Sequence, residues 1–521
     1  MRRQHTIAIT SLALTIGATA LVAGSVRPGT IPGTFIGPTT FETPYVNPTA
    51  PGWEVTSLLT VGDSAEETYF PMVGIPDGLG AAAGKINERG DFVADKAFMT
   101  IFMNHELGAT AGAIRAHGQT GAFVSQWSVH LNSLQVKFGE DLMREVWLWD
   151  SLNQQYFVGN ALTAAQFARF CSADLPPAGA FFNPATGKGF DGRIFMDGEE
   201  NGNEGRAFAH IVTGADKGRS YQLAGLGHLS FENVVAHPDA GDTTLVVGLD
   251  DSTPGQVYLY VGSKRGTGTP IERAGLTGGS LYGIRVTNGG AAYANAAAPF
   301  EDKGALNGTF TLVNVSDVAQ ATGASLQTTS RSRGITEFAR PEDGSWDSKS
   351  PNVFYFVTTG ASINGASQTS RLYKLTLDSV TRPSGGTIAL VVDSASLVGS
   401  DGQAARTFDN ITVDGDGFVV AQEDPGNSSY IAKTWRINPA APLSAVQILE
   451  SDRSRFLNGA PNFLTQDEEN SGVIEVTDIV SNANWFQKGR RYYLGVTQAH
   501  YGLPVPLVEG GQLYLIASPK K

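Results

Sequence analysis

From Trp53 onward, short apolar runs alternate with clusters of glycine, asparagine and aspartate. Runs of five or so residues that are rich in Val, Ile, Phe and Tyr and bounded by turn formers predict β-strands. Helical periodicity is sparse and is limited to Thr163 to Cys171, with Thr163 at the N-cap, and to Asp317 to Thr322. We therefore expect an all-β protein with a few short helical insertions. The clearest predicted strands are Phe98 to Met103, Thr244 to Gly248, Val257 to Val261, Asn352 to Thr358 and Gly417 to Ala421.

One unit recurs: an apolar strand ends in acids, a turn follows, and a second strand leads away. Repeated β units without helices between them are typical of a β-propeller, in which no blade completes its core alone. Two β-sandwich domains are the alternative, but no linker-like change in composition divides residues 53–521. The prediction is a single propeller domain over 53–521. The repeats start at Ile194, Leu245 and Val419, and Val353 to Val357 with Arg371 to Leu377 forms the same pair without the acids.

The N-terminus has the pattern of a signal peptide. Two arginines at positions 2 and 3 precede an apolar run from Thr6 to Gly24, and small residues near Ser25 offer a cleavage site. A membrane anchor is the alternative, but the run contains several Thr and Ser residues and is weakly hydrophobic for a stable span. We expect a signal peptide over 1–25, an extended lead-in over 26–52, and an exported protein without a membrane span once the peptide is removed.

The charge balance limits the classes of ligand that the protein is expected to bind. The chain has 37 Lys+Arg and 50 Asp+Glu, a formal net charge of −13, and no basic block, which argues against nucleic acid as a ligand. Only 17% of the residues are charged and 41% are hydrophobic, which excludes an acidic disordered chain. The sequence does not indicate an oligomeric state.

The single cysteine, Cys171, cannot form a disulfide within the chain. It is therefore buried and inert, paired with another chain, or a metal ligand. Composition alone favours a buried, inert thiol.

Acids at equivalent strand ends of a propeller would meet at one face of the ring. Clustered carboxylates repel one another unless they are neutralised, and Ca²⁺, which takes six to eight oxygen ligands, is the usual neutraliser in an exported protein. The alternative is that each acid decorates its own turn. The candidates are Glu199, Glu200, Glu232, Glu342, Glu423 and Asp424.

Five local motifs, taken in order, resemble the PhoX-type alkaline phosphatase family of secreted bacterial proteins. The resemblance runs from about Val55 to the C-terminus. One departure is the segment Pro177 to Asn183, which replaces a Trp-rich stretch of the better-known members. The motifs are Gly74 to Ala81 followed by Phe102 to Gly108; Cys171 to Leu175 leading to Met196 to Asn201; Gly227 to Asn233; Phe338 to Asp343; and Phe408 to Thr412 with Gln422 to Asp424.

The resemblance implies a propeller of about six blades that hydrolyses phosphomonoesters with a mixed iron and calcium centre. It makes Cys171 the iron thiolate and Glu199 or Glu200, Glu232 and Glu342 metal carboxylates. It also makes Asn104 and Arg340 the groups that hold the phosphate. Arginine suits this role because its planar fork matches phosphate oxygens, although a pair of Arg340 with Glu342 or with another surface acid is the alternative.

Three further features carry less weight. His105 and Glu106 are adjacent, so in a strand they face opposite ways and cannot both enter one site without a bend. The acidic segment Asp467 to Gly472 is expected to be a solvated turn rather than a calcium site, and His500 is expected to be a structural histidine. No Walker loop, serine nucleophile elbow or His-Glu-x-x-His motif is present.

The predicted function is an exported Fe³⁺ and Ca²⁺ dependent phosphatase acting on a small-molecule phosphate ester. One alternative is a metal-dependent hydrolase of phosphodiesters, phosphotriesters or other esters on the same scaffold. The other is a calcium-stabilised propeller that binds a ligand without catalysis. A calcium site has no need of a thiolate, so Cys171 together with Arg340 favours an enzyme.

Overall fold

The computed structural model describes residues 26–521 except for 161, 288–299, 302–303, 316 and 364–365. The predicted signal peptide, residues 1–25, lies outside the described residues. Antiparallel sheets surround a central channel, and the predicted all-β propeller is confirmed.

Six inner strands line the channel in the described part of the chain. Each packs against the inner strand of the next blade, and the sixth packs against the first, so the ring closes with six blades. The inner strands of blades 1 to 6 are Pro76–Ala83, Phe170–Asp174, Phe231–Ala236, Pro341–Trp346, Phe408–Val413 and Glu468–Glu475.

Blades 1 to 3 continue outward from their inner strands as antiparallel sheets, with one parallel pairing in blade 2. Blade 1 adds Phe98–His105, Phe123–His130 and Gln135–Asp141. Blade 2 adds Ile194–Glu199, Ala207–Ile211, Arg219–Gln222, Glu145–Asp150 and Gln155–Val158. Blade 3 adds Thr243–Asp250, Val257–Ser263 and Ser280–Val286.

Blades 4 to 6 follow the same plan. Blade 4 adds Val353–Thr358, Arg371–Leu377 and Gly385–Asp393, and the strand Gly308–Asn314 joins its outer edge to that of blade 3. Blade 5 adds Val419–Glu423, Lys433–Ile437, Val446–Ser451 and Val46–Pro48. Blade 6 adds Tyr492–Gly502, Glu509–Ala517, Glu54–Thr60, Thr34–Ile36 and Arg27–Pro28. Three small ribbons pair Lys85–Ile86 with Phe92–Val93, Phe182–Asn183 with Lys188–Gly189, and Ser362–Ile363 with Ala366–Ser367.

The repeat seen in the sequence corresponds to the second and third strands of a blade. All five clearest predicted strands are present, with bounds that differ by up to two residues at either end. Short strands within the segment 26–52 lie at the edges of blades 5 and 6. Blade 6 holds both ends of the described chain, because Glu54–Thr60 pairs with Glu509–Ala517.

Apolar side chains fill the spaces between blades. Phe102 of blade 1 and Phe195 of blade 2, for example, are fully buried with ring centroids 6.0 Å apart. Burial of such faces between neighbours is the main stabilising contribution in a ring whose blades cannot bury their own surfaces alone.

The helical predictions need correction. The predicted helix Thr163 to Cys171 is wrong: only Thr163–Ala165 forms a 3₁₀ turn, Leu162 rather than Thr163 is its N-cap, and Phe170–Asp174 is an inner strand. Pairing of Phe170 with Glu199 in the sheet overrides the local helical pattern. Asp317 to Thr322 contains the 3₁₀ turn Val318–Gln320, and Thr322 caps a helix that the sequence pattern did not predict, Gly323–Ser332.

The remaining helices are single turns on loops. None of the helices in the described ranges is long and apolar enough to cross a membrane. The α-helical turns are Pro270–Arg273, Arg453–Phe456 and Thr477–Val480, and the 3₁₀ turns are Ala178–Ala180, Gly202–Glu204, Ala224–Leu226, Ser394–Ser396 and Pro442–Ser444.

Candidate metal centre

All six blades share one register at the same end of the channel. In each blade, the first residue of the inner strand pairs with the last residue, or nearly the last, of the second strand. Equivalent side chains of six blades therefore meet around the channel axis. The pairs are Pro76 with His105, Phe170 with Glu199, Phe231 with Asp250, Pro341 with Thr358, Phe408 with Glu423, and Glu468 with Ala499.

The residues that follow these pairs form two rings. Side chains alternate along a strand, so the position after each pair turns toward the channel. In blades 1 to 5 a register irregularity follows the pair directly, and such bulges re-aim side chains next to functional sites. The inner ring consists of Asp77, Cys171, Glu232, Glu342, Asp409 and Glu469. The upper ring consists of Glu106, Glu200, Asp251, Thr359, Asp424 and His500.

Nine side chains of these rings form four overlapping groups, which we call the acid belt. Within each group the potential ligand atoms lie within 4.8 Å of one another. Because neighbouring groups share Cys171, Glu232 or Asp409, the belt is continuous. The groups are Asp77–Glu106–Cys171, Cys171–Glu200–Glu232, Glu232–Glu342–Asp409 and Asp409–Asp424–Glu469.

Two buried carboxylate oxygens of the belt lack a protein donor. Asp77 Oδ2 accepts hydrogen bonds from the Cys171 thiol at 3.3 Å and from the Gln498 amide at 3.0 Å. The same amide donates to Glu106 at 2.9 Å. Asp77 Oδ1 and Asp409 Oδ1 are buried without a protein partner. A buried carboxylate oxygen without a donor is costly unless a cation meets it.

Burial and mutual repulsion raise the pKa values of several belt carboxyls, among them Glu232 and Asp77. Burial raises the pKa of Glu232 from 4.5 to about 7, and Asp251 and Glu106 add to the rise. Burial, with the charges of Glu106 and Glu469, raises the pKa of Asp77 well above its usual range. Burial and the charge of Asp77 raise the pKa of the Cys171 thiol. The site therefore favours either protons or metal cations.

The donor set fits a group of hard cations with one softer position. Eight carboxylates supply hard oxygen ligands, which suit Ca²⁺ and other hard ions. The thiol of Cys171 lies in the two groups at one end of the belt, and sulfur is a ligand for iron or zinc rather than for calcium. The residues present thus fit a multinuclear centre.

Two arginines border the belt. Arg169 and Arg340 directly precede the inner strands of blades 2 and 4, and both have left-handed backbone, with φ of 56° and 62°. Arg169 pairs with Glu106 at 2.9 Å and with Glu200. Arg340 makes a two-pronged contact with Asp251, at 2.8 and 2.7 Å, and lies 3.3 Å from Glu342. Their side chains are 49% and 35% exposed, so both arginines are partly accessible to solvent.

The structure brings together five of the seven residues predicted to bind metal. Cys171, Glu200, Glu232, Glu342 and Asp424 all belong to the belt.

Glu199 and Glu423 face away from the channel. Each pairs with the first residue of an inner strand, and the residue that follows it, Glu200 or Asp424, faces the axis. Glu199 accepts hydrogen bonds from Arg206 at 2.5 and 3.0 Å. Glu423 accepts from the Trp435 indole at 3.0 Å and from the Tyr430 hydroxyl. Both acids are satisfied within their own blades.

Asn104 is fully buried in blade 1 and donates to the Cys171 carbonyl oxygen at 2.7 Å. This contact holds the strand that carries the thiol. The His105 ring is also buried, between the Gly74 carbonyl oxygen and the Ser125 hydroxyl, while Glu106 enters the belt.

Sequence reasoning missed Asp77, Glu106, Asp409 and Glu469 as belt members and Arg169 as a bordering cation. The expected solvated turn at Asp467 to Gly472 is wrong, because Glu468–Glu475 is the inner strand of blade 6 and Glu469 is 8% exposed. The signal that could have found these residues is positional. Asp77, Asp409 and Glu469 share the second position of the inner strand, Glu106 follows the second strand, and Arg169 precedes the inner strand, so an alignment of the six blades by their first two strands would have identified these residues.

Comparisons with known proteins agree with the fold. No family model matches the chain, and no curated protein sequence does. Among solved structures, the chain is similar to Pseudomonas fluorescens PhoX in complex with vanadate, a transition state analogue. The TM-score is 0.61 at 11% identity, over 96% of this chain and 98% of that one.

More remote similarity is found to the α-L-arabinofuranosidase PaAbf62A from Podospora anserina, with a TM-score of 0.30 at 9% identity over 91% and 98% of the two chains. β-1,2-Mannobiose phosphorylase from Listeria innocua gives 0.29 at 9% identity over 90% and 92%. Of these three similarities, only the one to PhoX, with a TM-score of 0.61, shows a shared propeller fold.

Proposed function

We propose that this protein is an exported, metal-dependent hydrolase of small-molecule phosphomonoesters. The observation that carries the proposal is the acid belt bordered by two accessible arginines. Such a site can hold several cations and can bind a dianionic group above them. The similarity in fold to PhoX, solved with a transition state analogue, and the five sequence motifs support the same function. Export rests on the N-terminal sequence pattern.

The belt residues are the proposed metal ligands. Cys171 would supply the thiolate for an Fe³⁺ ion, and the carboxylates of Glu200, Glu232, Glu342 and Asp424 would hold Fe³⁺ and Ca²⁺. When bound, such ions neutralise charge on phosphate oxygens and lower the pKa of water at the site. Asp77, Glu106, Asp409 and Glu469 complete the set on the geometry of the belt.

The chain's own residues bind and orient the ester. Arg340 and Arg169 can each present two N–H donors to the non-bridging oxygens from different sides of the channel. Their partners Asp251, Glu106 and Glu200 hold the guanidinium groups in place before substrate arrives. Pre-positioned donors of this kind stabilise the charge that develops during transfer of the phosphoryl group.

Metal analysis of the purified protein, combined with hydrolysis of p-nitrophenyl phosphate, tests the proposal. We expect bound iron and calcium, loss of activity after chelation, and loss of iron and activity in Cys171→Ala. His130→Gln, on the outer part of blade 1, is a matched control that should retain both. A wild-type protein that binds no metal, or that is inactive with metal, would overturn the proposal. Hydrolysis of bis-esters with none of the monoester would instead select a phosphodiesterase.

A further inference from the structure

We propose that His500, held by Glu509, is the general acid that protonates the leaving-group oxygen of the ester. This inference rests on the proposed phosphomonoesterase function and assigns a further catalytic residue to it. The observation behind it is positional. His500 occupies the blade 6 place in the upper ring, where four other blades place a carboxylate and blade 4 places Thr359.

The imidazole is anchored and oriented. Ala499 pairs with Glu468, so His500 is the next residue toward the channel, and its backbone N–H donates to the Asp467 carbonyl oxygen at 2.9 Å. Its Nδ1 contacts Glu509 Oε2 at 2.6 Å across the hairpin to the third strand. With Nδ1 engaged by a carboxylate, Nε2 is the nitrogen available to a substrate.

Access from solvent is retained. The His500 side chain is 28% exposed and that of Glu509 is 31% exposed. The ion pair of His500 is made with Glu509 and not with a belt carboxylate. Both members of the pair are therefore partly exposed to solvent, with which the imidazole can exchange protons.

The contact with Glu509 favours the protonated imidazole. In the metal-free protein, burial lowers the pKa of His500, but the hydrogen bond to Glu509 and the charges of Glu469 and Glu106 raise it to about 9, and the Glu509 contact lies outside the belt that the cations would neutralise. These acids face it from the third strand of blade 6, from the inner strand of blade 6 and from blade 1. Asp424 faces it from blade 5. A protonated imidazole at neutral pH is the form a general acid requires.

The proposed step exchanges one bond at phosphorus for another and transfers one proton from His500. A water oxygen forms a bond to phosphorus as the bond from phosphorus to the ester oxygen breaks, and the electron pair of that bond stays on the leaving oxygen. The Nε2 proton of His500 passes to that oxygen and the alcohol departs. The proton released by the attacking water returns to the imidazole through solvent beside Glu509, so each turnover restores His500.

A series of leaving groups tests this role. His500→Gln should lower kcat/KM at pH 7 for alkyl phosphates by about 100-fold, the low end for general acid catalysis, because alkoxides leave poorly without a proton. The same variant should change kcat/KM for 2,4-dinitrophenyl phosphate by less than about 3-fold, since that leaving group needs no proton. His130→Gln is the control, with both substrates unaffected. Metal content measured in each variant shows that the belt is intact.

A second variant tests the same role even if His500→Gln does not fold. Glu509→Gln keeps the imidazole but removes a contact that raises its pKa. The alkaline limb of the pH profile for alkyl phosphates should therefore move to lower pH. An equal loss for all leaving groups in His500→Gln, or an unmoved alkaline limb in Glu509→Gln, would overturn the general acid role while the phosphatase function stands. If the metal-loaded wild type hydrolyses no aryl phosphate, the proposed function fails first and this role fails with it.

Discussion

In the metal-free protein, replacement of Glu232 by glutamine should make stability less dependent on pH. Glu232 is 1% exposed and lies in two of the four belt groups. A buried carboxyl whose pKa is higher in the folded state than in the unfolded state stabilises the fold below the unfolded pKa. That stability is lost as pH rises through the folded pKa. Glutamine has nearly the same shape and does not titrate.

The magnitude follows from the pKa of Glu232. A rise from 4.5 to about 7 on folding corresponds to roughly 3 kcal/mol, at about 1.4 kcal/mol for each pKa unit. The free energy of unfolding of the wild type, minus that of Glu232→Gln, should therefore fall by about 3 kcal/mol between pH 4 and pH 8, with most of the change between pH 5 and pH 7. Because the charge of Glu232 also raises the pKa values of Asp77, Glu342 and Asp409, the difference reports Glu232 together with its effect on these neighbours.

Urea unfolding of both proteins after chelation, at half-unit pH intervals, measures this difference. Addition of Ca²⁺ at pH 8 should stabilise the wild type more than the variant, because the cation binds the ionised carboxylate. A difference that does not change with pH would refute the account of Glu232 as a carboxyl kept neutral by burial and its acidic neighbours.

Three further predictions concern other parts of the site. Glu200→Gln should lower the amount of bound metal measured by elemental analysis. Glu199→Gln should leave the metal content unchanged and lower the free energy of unfolding by about 3 kcal/mol, because it breaks a buried ion pair. Equal metal loss in both variants would contradict the assigned register. Arg340→Met should weaken inhibition by inorganic phosphate by about 10-fold, the value of a charge-assisted hydrogen bond, and unchanged inhibition would place phosphate elsewhere. Gly78→Ala should cost about 2 kcal/mol in thermal unfolding and reduce metal binding, because the added Cβ would lie 2.6 Å from the Cys171 carbonyl oxygen; a variant as stable as the wild type would show that the two inner strands can separate there.

Much of the fold could be predicted from the chain because propeller strands carry a local signal. Apolar runs that end in acids, such as Val419 to Asp424, mark second strands, and their repetition indicates a ring. The inner strands were harder to predict. The strand Phe170–Asp174 begins within a segment whose sequence has a helical pattern. The strand Glu468–Glu475 begins with polar residues that are buried only because six blades surround them. Burial created by the whole ring leaves no local apolar pattern.

The site was predicted in part for the same reason. Acidic pairs such as Glu199–Glu200 locate the end of a second strand but not which member faces the axis. That choice depends on the pairing of Phe170 with Glu199, a contact between residues 29 positions apart. One position of register decides between a belt ligand and an ion pair with Arg206. Adjacent residues of a strand face opposite ways, as for His105 and Glu106. The same rule predicts that only one of Glu199 and Glu200, and only one of Glu423 and Asp424, faces the axis.

Closure of blade 6 by Glu54–Thr60 and Glu509–Ala517 has a consequence for biogenesis. Belt residues run from position 77 to position 469, and the ring that aligns them closes only when Glu509–Ala517 pairs with Glu54–Thr60. A nascent or truncated chain would hold its acids apart and bind the cations weakly. If the belt binds cations as proposed, it binds them tightly only after the ring has closed, so metal loading follows folding of the whole propeller.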